Sequence, residues 1–118
     1  MLELNWRRSM DGDAWWNFIK LNLTTVRDAG VYVVWMSGDP GRVVCLGEGE
    51  IAEELRHRRE SPEILGYART APLWVTWADV PPIERAGVLE YLTSRFDPLA
   101  EDARPGVQPV AVNLPFAA

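Results

Sequence analysis

A chain of 118 residues with 47 % hydrophobic and 25 % charged side chains is long enough for one packed domain and too apolar to stay disordered. Its net charge of −5 excludes a protein that grips nucleic acid with a broad basic face, while leaving room for a local arginine patch. A lone Cys45 rules out an intrachain disulfide and a multi-cysteine zinc site, and no apolar run approaches the ~20 residues of a membrane span. No signal-peptide pattern follows Met1, so a soluble, cytoplasmic protein is expected. Six Trp should lie mostly in or near the core, with one or two left for a partner surface. Lys20 is the single Lys among the basic residues, a bias that reads as genomic composition.

In chain order, Asp11-Gly12-Asp13 reads as a cap for a short amphipathic helix with Trp15, Phe18, Ile19 and Leu21 as its apolar residues. Val31 to Met36 and Arg42 to Leu46 are β-branched and aromatic runs, and Ser37-Gly38-Asp39-Pro40-Gly41 between them predicts an antiparallel hairpin. A loop centred between Gly38 and Asp39 would put Tyr32 opposite Cys45, and apolar residues on both faces predict a sheet covered on both sides. Glu50 to Arg59 should be helical, with Ile51 and Leu55 buried and acids preceding bases along the dipole. Pro62 to Thr70 reads as a loop or short irregular helix, and Leu73 to Ala78 as a third strand. Pro82 opens a helix to about Phe96 with Ile83, Ala86, Leu89 and Leu92 along its stripe. A turn at Asp97-Pro98, an interruption from Pro105 to Pro109 and an extended segment from Val110 to Phe116 complete the chain.

The series Gly30-Val31-Tyr32, Cys45-Leu46-Gly47, a charged helix, Glu90 and Asn113-Leu114-Pro115 resembles the GIY-YIG nuclease family over roughly residues 28 to 116. The expected fold is α+β, a small three-stranded, mainly antiparallel sheet flanked by helices. It forms a single domain over 1–118 with an N-terminal helical extension at about 1–27. The resemblance implies metal-dependent hydrolysis of DNA phosphodiesters. Tyr32 would align the attacking water, Glu90 would hold a divalent ion, Mg²⁺ or Mn²⁺, and Asn113 matches the late Asn. The helix arginine that neutralises the scissile phosphate would be Arg56 or Arg58.

Two positions depart from the family pattern. Cys45 stands where a second Tyr is usual, and as a thiol without an activating His it reads as a small buried hydrophobe. Glu54 stands where the helix Arg is usual, which would set a carboxylate beside the phosphate. Glu54 and Arg58 otherwise read as an exposed i, i+4 ion pair, and His57 as a surface residue. Gly47-Glu48-Gly49 is not a phosphate loop, and a single His supports no acyl-transfer triad. The alternatives are therefore an endonuclease with DNA as partner, a catalytically inactive scaffold of the same fold that binds a protein or nucleic acid, and an unrelated α+β domain.

Overall fold

The computed structural model describes residues 1–8, 14–38, 41–100 and 106–116. Its sheet has four strands: β1 (Trp16–Asn17), β2 (Ala29–Met36), β3 (Arg42–Glu50) and β4 (Leu73–Asp79), in the order β1-β4-β2-β3 with every pairing antiparallel. The helices are α1 (Ile51–Arg59), α2 (Pro62–Ala68) and α3 (Pro82–Phe96). The α+β class and the central hairpin are as expected from the sequence. β1 adds a fourth strand to the three predicted, and no described helix is long and apolar enough to cross a membrane.

β2 is the central strand, and its alternation divides the core. Tyr32 and Val34 point toward α1 and α2, where they meet Phe18, Cys45, Ile51, Leu55 and Ile64. Val31 and Val33 point the other way, toward Leu4, Leu46, Val88, Leu92, Phe96 and Val112. Both faces are thus covered, as two apolar faces require. Gly30 is where β2 passes closest to the end of β4: a Cβ there would lie 2.0 Å from the Ala78 carbonyl oxygen, so only glycine fits.

The hairpin register differs from the expectation. Met36 pairs with Arg42 and Trp35 with Val43, but Val34 pairs with Cys45, so Val44 is an extra residue and β3 carries a bulge. The Met36–Arg42 pair is already one residue beyond the expected register, and the bulge adds a second step, so Tyr32 lies opposite Gly47 instead of Cys45. Tyr32 and Cys45 still share one face, because the bulge restores the alternation beyond Val44.

The helix expected after Asp11-Gly12-Asp13 does not form over Ala14 to Leu21; the three cap residues themselves lie outside the described residues. Trp16–Asn17 pairs with Val75 and Trp74, and the Asn17 side chain accepts from the amides of Ile19 (2.9 Å) and Lys20 (3.0 Å). That local bond competes with helix formation and turns the chain. The turn is held from across the fold by Arg59, whose guanidinium donates to the carbonyls of Phe18 and Leu21, with the Phe18 bonds at 2.9 and 2.7 Å. Leu23–Thr25 is a single 3-10 turn, so the described part of 1–27 contains no α-helix.

α1 follows β3 directly, with Glu53 and Glu54 in its first turn and Arg56 to Arg59 in its last, and Ile51 and Leu55 are fully buried. α2 is a regular helix begun by Ser61, which accepts from the Ile64 amide, and by Pro62. α3 has the predicted bounds but a different buried side. Val88, Leu92 and Phe96 pack on the sheet, whereas Ile83 is 91 % exposed. It ends at Asp97 in the left-handed region (φ 47°), after which Leu99 and Ala100 donate to the Val43 and Val44 carbonyls along the outer edge of β3. The terminal segments meet beside α3, where Leu2 and Val112 form a parallel bridge.

Candidate functional site

Tyr32 is the only residue of the implied catalytic set at the centre of the sheet, and its side chain is wholly buried. Its ring lies over Gly47, the glycine of the second motif. A Cβ at 47 would be 2.2 Å from the Tyr32 hydroxyl and 2.4 Å from Cζ, so the glycine exists to make room for the phenol. The hydroxyl donates to Glu54 Oε1 (3.2 Å) and accepts from Arg58 Nε (2.8 Å), while Arg58 Nη2 donates to the Leu46 carbonyl (2.9 Å). Glu54 and Arg58 are one helical turn apart on α1 and reach the same atom from one side. They are not the solvent-exposed pair expected from their spacing; both are half-buried against the phenol. Burial pushes the Tyr32 phenol far above its ordinary range, and the Arg58 charge offsets only part of that shift. The hydroxyl is therefore a neutral bridge between a cation and a carboxylate.

The structure separates the remaining predicted residues from this cluster. Arg56 projects from the exposed side of α1 to Glu53 and to Glu60 (3.7 Å), and His57 also reaches Glu53 (3.3 Å). Of the two candidate arginines, only Arg58 meets Tyr32. Glu90 sits on α3, which packs against the face of the sheet opposite the Tyr32 side chain. Asn113 is on that opposite side too. Its amide accepts from the Leu4 N–H (2.6 Å) and donates to the Leu4 carbonyl (2.9 Å), and its own carbonyl accepts from Trp6 Nε1 (2.9 Å). Asn113 thus acts as a two-way backbone mimic that joins the terminal segments.

The structure sets Glu90, the residue implied to hold the divalent ion, apart from Tyr32. An ion on Glu90 would have the sheet between it and Tyr32, and no group of three His, Cys, Asp or Glu side chains among the described residues is placed to hold a metal. Cys45 is fully buried in the Tyr32 core, as expected of a small hydrophobe. The role of Glu54 as the second partner of the phenol was concealed in the sequence. Its only signal is that positions 54 and 58 flank the buried Leu55 one turn apart, which is also the spacing of an ordinary surface pair.

A second ionic group lies at the start of β2. Asp28 accepts from Trp77 Nε1 (2.8 Å) and Arg7 Nε (3.0 Å), and Arg7 continues to Asp79 (3.3 Å). Burial raises the Asp28 carboxyl, but the Trp77 and Arg7 bonds together outweigh it and hold the group below its usual value. This network fastens the segment before β2 to β4, and Asp28 also lines an open cleft there with Arg27, Glu50 and Glu53.

The described surface also has an aromatic cleft on the α3 side of the sheet. Trp35, Val43, Phe96 and Phe116 form it, with Gly41, Arg42 and Arg95 at its margin. Comparisons of the chain with protein-family models, with curated proteins and with solved structures give no match.

Proposed function

We propose that the chain is a divergent GIY-YIG-like domain in which the hairpin–helix unit has become structural, so that it serves as a binding module and not as a phosphodiesterase. The observation that carries this reading is the Tyr32 hydroxyl, buried and bonded to both Glu54 and Arg58. A tyrosine that aligns water must reach solvent, and a phosphate-neutralising arginine must offer its N–H groups to the substrate. Here Arg58 spends Nε on Tyr32 and Nη2 on Leu46. Glu54 sets a carboxylate where negative charge would accumulate in the transition state, which opposes hydrolysis at this point. The order hairpin, α1, β4, α3 follows the series that carries the resemblance, and Gly30 and Gly47 each have a packing duty in it. That supports descent of the scaffold without its chemistry. The net charge of −5 further argues against a partner held by its phosphate backbone alone.

The test is incubation of purified protein with Mg²⁺ or Mn²⁺ and single-stranded, duplex and branched DNA, beside a Glu90→Ala variant and an active nuclease of the family. The expected result is intact DNA with both forms of this chain. Cutting by the wild type that disappears in Glu90→Ala would overturn the proposal and restore the metal-dependent endonuclease reading with Tyr32, Arg58 and Glu90.

A further inference from the structure

The cleft beside α3 combines three features that packing alone does not require. Its floor is apolar: Val43 and Phe96 are buried there. Its walls are aromatic faces left partly open. Trp35 and Phe116 have ring centroids 4.6 Å apart and tilted by 51°, and Phe116 also meets Phe96 at 5.2 Å. Trp15 supports this wall edge-on to Trp35 at 5.1 Å. Its margin is cationic. Arg42 and Arg95 are both exposed, and among the described residues neither has a carboxylate partner; Arg95 lies over the Tyr91 ring at 4.9 Å.

In a chain with net charge −5, two exposed arginines at the mouth of one aromatic cleft, without carboxylate partners among the described residues, form a local charge of opposite sign. Arg7 and Arg56 have acidic partners and Arg59 is consumed by carbonyls, whereas Arg27 and Arg69 are also exposed without a carboxylate partner among the described residues; what distinguishes Arg42 and Arg95 is that both border aromatic walls. A guanidinium presents its donors as a planar fork, which matches carboxylate or phosphate oxygens, while the aromatic walls favour a flat apolar body. The cleft volume of about 370 Å³ is at the small end of ligand sites and suits one ring system, not an extended polymer.

We propose that this cleft binds a small aromatic oxyanion, with its ring against Trp35 and Phe116 and its charged group at Arg42 and Arg95. The inference gives a ligand class to the binding role proposed above. Because it concerns the face opposite Tyr32, its failure and that of the non-hydrolytic reading are separately visible, one in a ligand titration and the other in DNA cleavage.

The experiment is an NMR titration of the full chain that follows the Trp35 indole N–H, assigned with Trp35→Phe, and the Gly41 and Val43 amides. The probes are phenyl phosphate, phenylacetate, benzyl alcohol and inorganic phosphate. Saturable shifts with phenyl phosphate or phenylacetate are expected, with binding roughly tenfold weaker for benzyl alcohol and for inorganic phosphate, each of which carries half of the recognised chemistry. The tighter of the two anions identifies the oxyanion. Arg42→Ala and Arg95→Ala, both at exposed positions, should each weaken the better anion several-fold and leave the rest of the spectrum in place. Absence of saturable shifts overturns the proposal. So does equal binding of benzyl alcohol, which would make the cleft merely apolar, or equal binding of inorganic phosphate, which would make it an unselective anion site.

Discussion

Replacing Tyr32 by Phe isolates the duty of the phenol. The ring remains, so the contact over Gly47 and the buried apolar area are unchanged, and only the hydroxyl with its two bonds is removed. A hydrogen bond to a charged group contributes about 1.5–3 kcal/mol, and both bonds of the hydroxyl are of that kind. The Glu54 bond is long at 3.2 Å, and both partners are only half-buried, so water can reach them once the hydroxyl is gone. These factors place the loss at about 2 kcal/mol, or a fall in Tm of roughly 8 °C for a domain of this size. Urea unfolding followed by far-ultraviolet circular dichroism should show an earlier midpoint at unchanged slope. A companion Arg58→Met variant and the double variant complete a cycle in which a coupling of about 1–2 kcal/mol is expected. A loss below about 0.5 kcal/mol, or a coupling near zero, would refute the view that the Tyr32–Arg58 bond has become structural.

Gly47→Ala should destabilise the chain by about 3 kcal/mol in the same assay, since its Cβ would overlap the immobilised Tyr32 ring. In a Tyr32→Val background the added cost should fall below about 1 kcal/mol, and persistence of the full penalty would mean that backbone conformation, not the ring, demands the glycine. Asp28 supplies a pH dependence. Its carboxyl is lowered from 3.8 on folding, so its contribution is complete above that value and is lost as pH falls through the lower folded value. Urea midpoints should therefore decline more steeply below pH 3.8 in the wild type than in Asp28→Asn. Parallel curves would show that the Arg7–Asp28–Trp77 network does not sense the charge.

Much of the architecture was legible because its signals are local. The turn residues between Met36 and Arg42 dictated the hairpin, the order of acids and bases marked α1, and Pro82 marked the start of α3. What escaped depends on contacts between distant segments. Trp15, Phe18 and Ile19 have helical spacing, but Asn17 turns the chain locally while pairing with Trp74 and the reach of Arg59 fix Trp16–Leu21 against the sheet. The bulge at Val44 shifts every pairing beyond it, and nothing in the run Val43-Val44-Cys45 marks one residue as extra. α3 is apolar on more than one side, so the choice of Val88 and Phe96 over Ile83 and Ala86 was settled by docking. That docking also decides the candidate site. Tyr32 and Glu90 read as partners in sequence order, yet the parity of β2 and the packing of α3 put them on opposite sides of the sheet.

The clasp between Leu4 and Asn113 has a bearing on how the chain is made. It spans 109 positions, so it cannot close until Asn113 has left the ribosome. The buried core around Tyr32 draws on residues 18 to 77, joined among the described residues by Ala100 and the half-buried Leu99, and can assemble before Asn113 is made. The other core needs both Leu4 and Val112, which are far apart in the sequence. During translation the sheet therefore has one finished face and one whose Val31, Val33 and Leu46 await their cover, and that unfinished face is where a nascent chain of this protein is open to chaperones or to self-association.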